Sequence, residues 1–242
     1  GGLAAGLLCS LAASVAAQEP PAAQPPLSEA LQKELSAVQD LLARGTAEFE
    51  GSQQSRSIVV FDELVTRLES LRRQGTLPPR AREILAQAYE LRGRAYYNIG
   101  LLEKAADSFR SLVQLLPQYS ISREKVSPKV VDYFNSIKKA LVGYLAVSTK
   151  PPGARVSLNG EFLSLTDFFP VEVLAGEYTA EITRDGYQTE SRSLSIASRA
   201  TETLQLELKR TLASAFFITE PAGVDILVDG QQRATTAGSL GP

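Results

Sequence analysis

The chain has 242 residues, 44% hydrophobic and 21% charged, and its 25 basic and 27 acidic side chains give a net charge of −2. That is enough for two compact units, since domains commonly run ~100–150 residues, and the charge balance argues against a nucleic-acid partner. There is no histidine, and Cys9 is the only cysteine, which excludes Ser-His-Asp and Cys-His catalysis, zinc sites with histidine ligands, and any disulfide within the chain.

Residues 1–17, GGLAAGLLCSLAASVAA, are small, apolar and uncharged. The pattern predicts the apolar region of a secretory signal peptide, with Val15 and Ala17 at the −3 and −1 positions and cleavage before Gln18. An uncleaved membrane anchor is the alternative. Cys9 follows Leu8 rather than a small residue, so it reads as apolar filler and not as a lipidation site. Residues 18–27, rich in Pro, Ala and Gln, predict an extended tether.

From Ser28 the apolar residues take helical spacing: Leu31, Leu35, Val38, Leu41 and Leu42, then Phe61, Leu64, Val65, Leu68 and Leu71. Gly75 stops the second run, Pro78-Pro79 opens the next, and Ser127-Pro128 begins a last helix through Val130, Val131, Phe134, Ile137 and Leu141. Residues 86–117, AQAYELRGRAYYNIGLLEKAADSFRSLVQLLP, carry Tyr89, Gly93, Tyr96, Gly100, Ala105, Phe109 and Pro117. With these residues the segment resembles the tetratricopeptide repeat, departing from it at Leu112, where the family prefers alanine. The resemblance implies two antiparallel helices crossing closely at Gly93 and Ala105, packed by Tyr96 and Phe109, turned at Gly100 and ended at Pro117. A fainter copy places Gly45 and Phe61 sixteen residues apart, as are Gly93 and Phe109. Such repeats serve as partner-binding scaffolds; a structural spacer is the other reading.

After Tyr144 the period becomes two. Leu145, Val147 and Thr149 share a face, as do Val156 and Leu158, Tyr178, Ala180 and Ile182, Leu194 and Ile196, and Leu204, Leu206 and Leu208. Turn residues separate the runs at Gly153, Asn159-Gly160, Gly176 and Gly186. The spacing predicts a small antiparallel β-sandwich. The segment from Thr149 to Gly160 then returns, seventy residues on, as Thr219 to Gly230, with Gly223, Asp229 and Gly230 at the positions of Gly153, Asn159 and Gly160. With its Pro152-Gly153-Ala154, Leu174-Ala175-Gly176-Glu177-Tyr178 and Asp185-Gly186-Tyr187, the region resembles the PEGA domain, a small β-module of bacterial and archaeal surface proteins. Where the family has a tight Gly-x-Thr-Pro segment, this chain has the longer Ser164–Phe169 without the glycine. The resemblance implies tandem modules, with residues 213–242 as the opening half of the second, and it carries no catalytic residues.

No chemistry-bearing motif emerges. Asp225 with Asp229, or Asp62 with Glu63, lacks the regular oxygen loop of a calcium site. The arginines at 67, 72, 73, 80, 82, 92 and 94 alternate with Glu69, Glu83 and Glu90, as on a solvated helix surface. Phe162, Phe168, Phe169 and Tyr187 are the candidate binding surface, unless Phe168 and Phe169 close one end of the sandwich. The expected architecture is an α + β multidomain chain: a signal segment 1–17, a linker 18–27, a tetratricopeptide-like unit 28–144, a PEGA-type antiparallel sandwich 145–210 and a truncated second one 211–242. The expected function is that of a non-catalytic bacterial envelope scaffold, exported to the periplasm or cell surface. It would bind a protein or envelope component, with no nucleic acid, small-molecule substrate, cofactor or metal. The alternatives are the ectodomain of a longer enzyme or receptor, and a carbohydrate- or peptidoglycan-binding module.

Overall fold

The computed structural model describes residues 29–75, 77–211, 223–228 and 231–235. Five helices come first: α1 (Glu29–Glu50), α2 (Gln54–Gln74), α3 (Pro79–Asn98), α4 (Leu102–Leu115) and α5 (Pro128–Leu141). Strands β1 (Val142–Lys150), β2 (Arg155–Leu158), β3 (Glu161–Leu165), β4 (Val171–Leu174), β5 (Gly176–Thr183), β6 (Glu190–Ile196), β7 (Thr201–Glu207), β8 (Asp225–Val228) and β9 (Gln231–Thr235) follow. The chain divides into two compact units between Ala105 and Ala106, inside α4. Among the described residues no helix is long and apolar enough to cross a membrane.

In the first unit, α2 packs between α1 and α3. Arg44 meets Glu63 at 3.5 Å and Arg67 meets Glu34 at 3.8 Å, so α1 and α2 run in opposite directions. Their apolar stripes, Leu35, Val38 and Leu41 against Phe61, Leu64, Val65 and Leu68, are buried as the helical spacing required. The close approach depends on Gly45, where a Cβ would lie 2.6 Å from the Phe61 ring. Gly75 ends α2 with its N–H on the Arg72 carbonyl, and Pro79 opens α3 at its first turn.

The second unit begins with a helical part whose interior holds Phe109, Leu112, Val113, Val131 and Phe134. Phe109 meets Phe134 edge to face, with ring centroids 5.5 Å apart. Pro128 opens α5, while Ser127 occupies the cap position without a side-chain bond to the helix. Strand β1 then starts at Val142, the residue after α5 ends, with no connecting loop. Lys138 in the last turn of α5 is buried, donating to the Tyr119 carbonyl at 2.7 Å and to Glu172 of β4 at 2.5 Å.

Two sheets, ordered β4-β1-β7 and β3-β2-β5-β6, contribute to one apolar cluster that includes Leu145, Val147, Val156, Ala180, Ile182, Leu194 and Ile196. Burying each larger aliphatic side chain stabilises the fold by ~1.5–3 kcal/mol. The alternation of the sequence places these residues inward, as found. The expectation of a wholly antiparallel arrangement requires correction, because β7 runs parallel to β1 over seven register pairs, Tyr144–Thr201 to Lys150–Glu207. The cause is the turn after β6. Its Arg199 N–H bonds the Val142 carbonyl at 2.8 Å, and Tyr144 N–H bonds the Ala200 carbonyl at 2.8 Å, so the chain re-enters beside the start of β1.

The β2–β3 and β8–β9 hairpins occupy strand positions seventy residues apart at both ends. Each register slips by one residue at the same place, leaving Leu163 in one and Arg233 in the other as the extra residue. Gly153 and Gly223, before the two hairpins, share a left-handed backbone with φ of 83° and 80°. Asp229 and Gly230 lie outside the described residues, as do residues 1–28 with the signal segment and linker.

Gly143 is where the turn after β6 presses on β1. A Cβ there would overlap the Ala197 carbonyl and lie 2.6 Å from Ile196 Cγ2. Gly143→Ala should therefore cost about 1–3 kcal/mol through overpacking, measured by urea denaturation of the full chain. Unchanged stability would show that the turn can move away from β1.

Candidate functional site: the open edge of the second sheet

Strand β3 begins after a two-residue turn in which Asn159 (φ 49°) and Gly160 (φ 84°) both take the left-handed backbone. Asn159 fastens this turn to β5: its N–H bonds the Thr179 carbonyl at 2.9 Å, and its Oδ1 accepts from Thr179 N–H at 2.8 Å. The outer edge of β3 pairs with no strand among the described residues. The one-residue bulge at Leu163 then sets the surface. Phe162 lies opposite Ser157, and Leu165 lies opposite Arg155. Although three residues apart, Phe162 and Leu165 thus pair with alternate residues of β2 and face the same way. They are 50% and 55% exposed. The Arg155 guanidinium lies 4.1 Å from the centre of the Phe162 ring.

The structure separates the four aromatic residues singled out in the sequence. Phe162 and Phe169 are on the surface, and Phe169 is 92% exposed. Phe168 and Tyr187 pack against the apolar cluster instead and do not form a surface with them. Tyr187 also lies under the Arg184 guanidinium. Leu165 was missed because simple alternation cannot locate a bulge. Phe162 also lines an open groove of about 220 Å³ in which apolar residues such as Leu115, Leu158 and Leu163 mix with Gln114, Gln118, Glu161 and Glu172.

The segment from Ser164 to Phe169 owes its shape to a buried polar chain. Thr149 and Thr166 are buried, with their hydroxyl oxygens 2.6 Å apart. Thr149 donates its single hydroxyl proton to the Pro151 carbonyl at 2.7 Å, so Thr166 must donate to Thr149. Thr166 Oγ1 in turn accepts from Ala154 N–H at 3.0 Å, and Asp167 accepts from Thr149 N–H at 2.9 Å. Backbone bonds from Gly153 N–H to the Thr166 carbonyl and from Thr166 N–H to the Ala154 carbonyl complete the chain.

The repeat-like residues of the helices take defined places. Gly93, Ala105 and Phe109 are buried. Gly100 (φ 80°) turns the chain after α3: its N–H bonds the Tyr97 carbonyl, and Leu101 N–H bonds the Tyr96 carbonyl, the paired bonds of a Schellman end. Pro117 follows α4 and is half-buried. Tyr89 donates to Glu69 at 2.5 Å, Tyr96 donates to Asp62 at 3.4 Å, and Arg92 bonds Asp62 at 3.0 Å. Burial, with the hydrogen bond to Glu69 and that residue's charge, pushes the Tyr89 phenol well above its ordinary range. Burial, with the charge of Asp62, also raises Tyr96. Arg67 pairs with Glu63 at 2.9 Å on the solvated surface, as expected. Arg92 and Arg94 correct that expectation: both are largely buried, covered by neighbouring helix surface, and held by Asp62 at 3.0 Å and Glu90 at 2.9 Å. Among the described residues no three Asp, Glu, Cys or His side chains gather as a metal site. Gly176 opens β5, and Gly186 (φ 77°) turns the chain after it.

Residues 142–212 match the PEGA domain family, a span that starts with the first residue of β1 and ends just beyond β7. No curated protein matches the chain.

Two of these contacts can be tested by substitution. Thr166→Val should destabilise the β-domain by about 1–3 kcal/mol, since it strands the Ala154 amide, while Thr166→Ser should lose less; equal losses in denaturant titrations would refute the hydroxyl chain. For Tyr89, the folded state holds its proton at pH values where the unfolded chain releases it. The associated stability is therefore present below pH ~10 and falls as pH rises further. Tyr89→Phe should flatten the loss of helical stability between pH 9 and 11, read by circular dichroism; an unchanged slope would contradict the assignment.

Proposed function

We propose that the chain is a non-catalytic, exported scaffold of the bacterial cell envelope that docks a partner protein along β3. The observation that carries this reading is the open edge of β3, where Phe162 and Leu165 expose apolar surface, with Phe169 exposed in the segment that follows the strand. An exposed apolar edge strand invites aggregation unless something covers it, and an added strand is the cover that satisfies both its backbone and its side chains. The partner is thus an extended segment with apolar residues against Phe162 and Leu165, and an acidic residue within reach of Arg155. The guanidinium already stacked near Phe162 makes that ring a poorer sugar platform, which favours a protein over a carbohydrate ligand.

Tandem PEGA-type modules are supported by the seventy-residue correspondence of the two bulged hairpins. A tetratricopeptide-like helical unit is supported by the Gly45–Phe61 contact and the Schellman turn at Gly100. The apolar residues 1–17, together with the PEGA match, favour export.

A photocrosslinking side chain at position 162 or 169, in the chain expressed in its native bacterium, should form one discrete adduct with an envelope protein. Leu165→Lys should abolish that adduct. Crosslinks that are absent, or that are indifferent to Leu165→Lys, would overturn the reading.

A further inference from the structure

An open pocket of about 550 Å³ lies on the second unit, lined by Arg123, Asp132, Asn135, Ser136, Lys139 and Arg199. Every lining side chain is polar, and three are cations against a single acid. Asp132 pairs with Arg123 at 3.1 Å. Lys139 and Arg199 make no ion pair among the described residues, so the pocket keeps two uncommitted positive charges. Asp132, Asn135, Ser136 and Lys139 form one stripe of α5, spaced at three, four and seven residues.

Arg199 is held there against its backbone preference. Its φ is 65°, the left-handed region that costs a non-glycine residue. The conformation is fixed by its N–H bond to the Val142 carbonyl and by the Ala200 N–H bond to the Ala197 carbonyl. Val142 lies three residues beyond Lys139, and neighbouring Lys138 is anchored to Tyr119 and Glu172. Both uncommitted cations therefore stand on backbone that is tied in place.

We propose that this pocket binds a phosphate-ester group between Lys139 and Arg199. A guanidinium fork, an ammonium and the Asn135 amide present more donors than the two oxygens of a planar carboxylate can use, whereas a phosphate offers oxygens in several directions. With no apolar residue in its lining, the pocket offers a peptide no aliphatic or aromatic side chain to pack against. The phosphate can belong to a lipid headgroup or to a soluble or polymeric phosphate ester.

Titration of the full chain with inorganic phosphate and with glycerol 3-phosphate, followed by amide NMR, should give saturable shifts at Lys139, Arg199 and Ala200. Arg199→Gly and Lys139→Gln should each weaken binding about tenfold. Glycine adopts φ 65° freely, so Arg199→Gly removes the charge without straining the fold. Co-sedimentation with phosphatidylglycerol but not phosphatidylcholine vesicles, lost in both variants, would assign a lipid source; glycerol 3-phosphate binding without vesicle binding would assign a soluble or polymeric one. The proposal is overturned if no phosphate probe binds, if the variants bind as the parent does, or if a hexaglutamate peptide binds more tightly than glycerol 3-phosphate.

Discussion

The hydroxyl contact between Thr149 and Thr166 is the constraint on which the shape of the β-domain turns. It lies between the end of β1 and the segment after β3, two stretches that share no regular ladder. Once water is excluded, each donor in the chain must find its acceptor, because an unmade bond there costs more than a made one gains. That requirement fixes the path from Ser164 to Phe169 despite its irregular length. The path in turn sends Phe168 against the core, leaves Phe169 in solvent and ends β3 with Leu165 opposite Arg155. An exposed apolar edge is thus the consequence of a buried polar one.

A second constraint operates at the other end of β1. The helix passes into the strand without a linker, and Lys138 brings its charge indoors to meet Glu172 and a carbonyl. Buried ion pairs contribute little net stability because desolvation offsets the attraction, but one left half-made is costly. The pair therefore acts chiefly on geometry, setting how the last turn of α5 meets β4.

Much of this architecture was legible in the sequence, and the exceptions share a physical cause. Alternation identified the inward residues of β1, β2, β5 and β6 because one face of each strand is buried. It could not give the direction of β7, since a strand reads the same beside a parallel or an antiparallel neighbour; backbone bonds around Gly143 decided that. Nor could it find the bulge at Leu163, and so it missed Leu165. Phe168 and Tyr187 were grouped with the surface residues because they lie between strands, where alternation does not tell inward from outward. Lys138 stands in a last helical turn, where lysine is expected on electrostatic grounds and nothing in the sequence marks it as buried. Its burial depends on Tyr119 and Glu172, nineteen and thirty-four residues away. The correspondence of the two hairpins was legible from turn residues and alternation together, and the structure gives Gly153 and Gly223 the same left-handed backbone, a position that restricts residue choice more than packing does.

The parallel pairing of β1 with β7 also has a mechanical consequence. The chain enters the β-domain at the amino end of β1 and leaves it beyond the carboxyl end of β7, and in a parallel pair those ends lie at opposite extremes of the ladder. Tension along the chain would load all seven register pairs in shear at once, where an antiparallel hairpin pulled at its open end would unzip one pair at a time. Because α5 joins β1 directly, no slack segment stands between helix and ladder to absorb the first part of an extension.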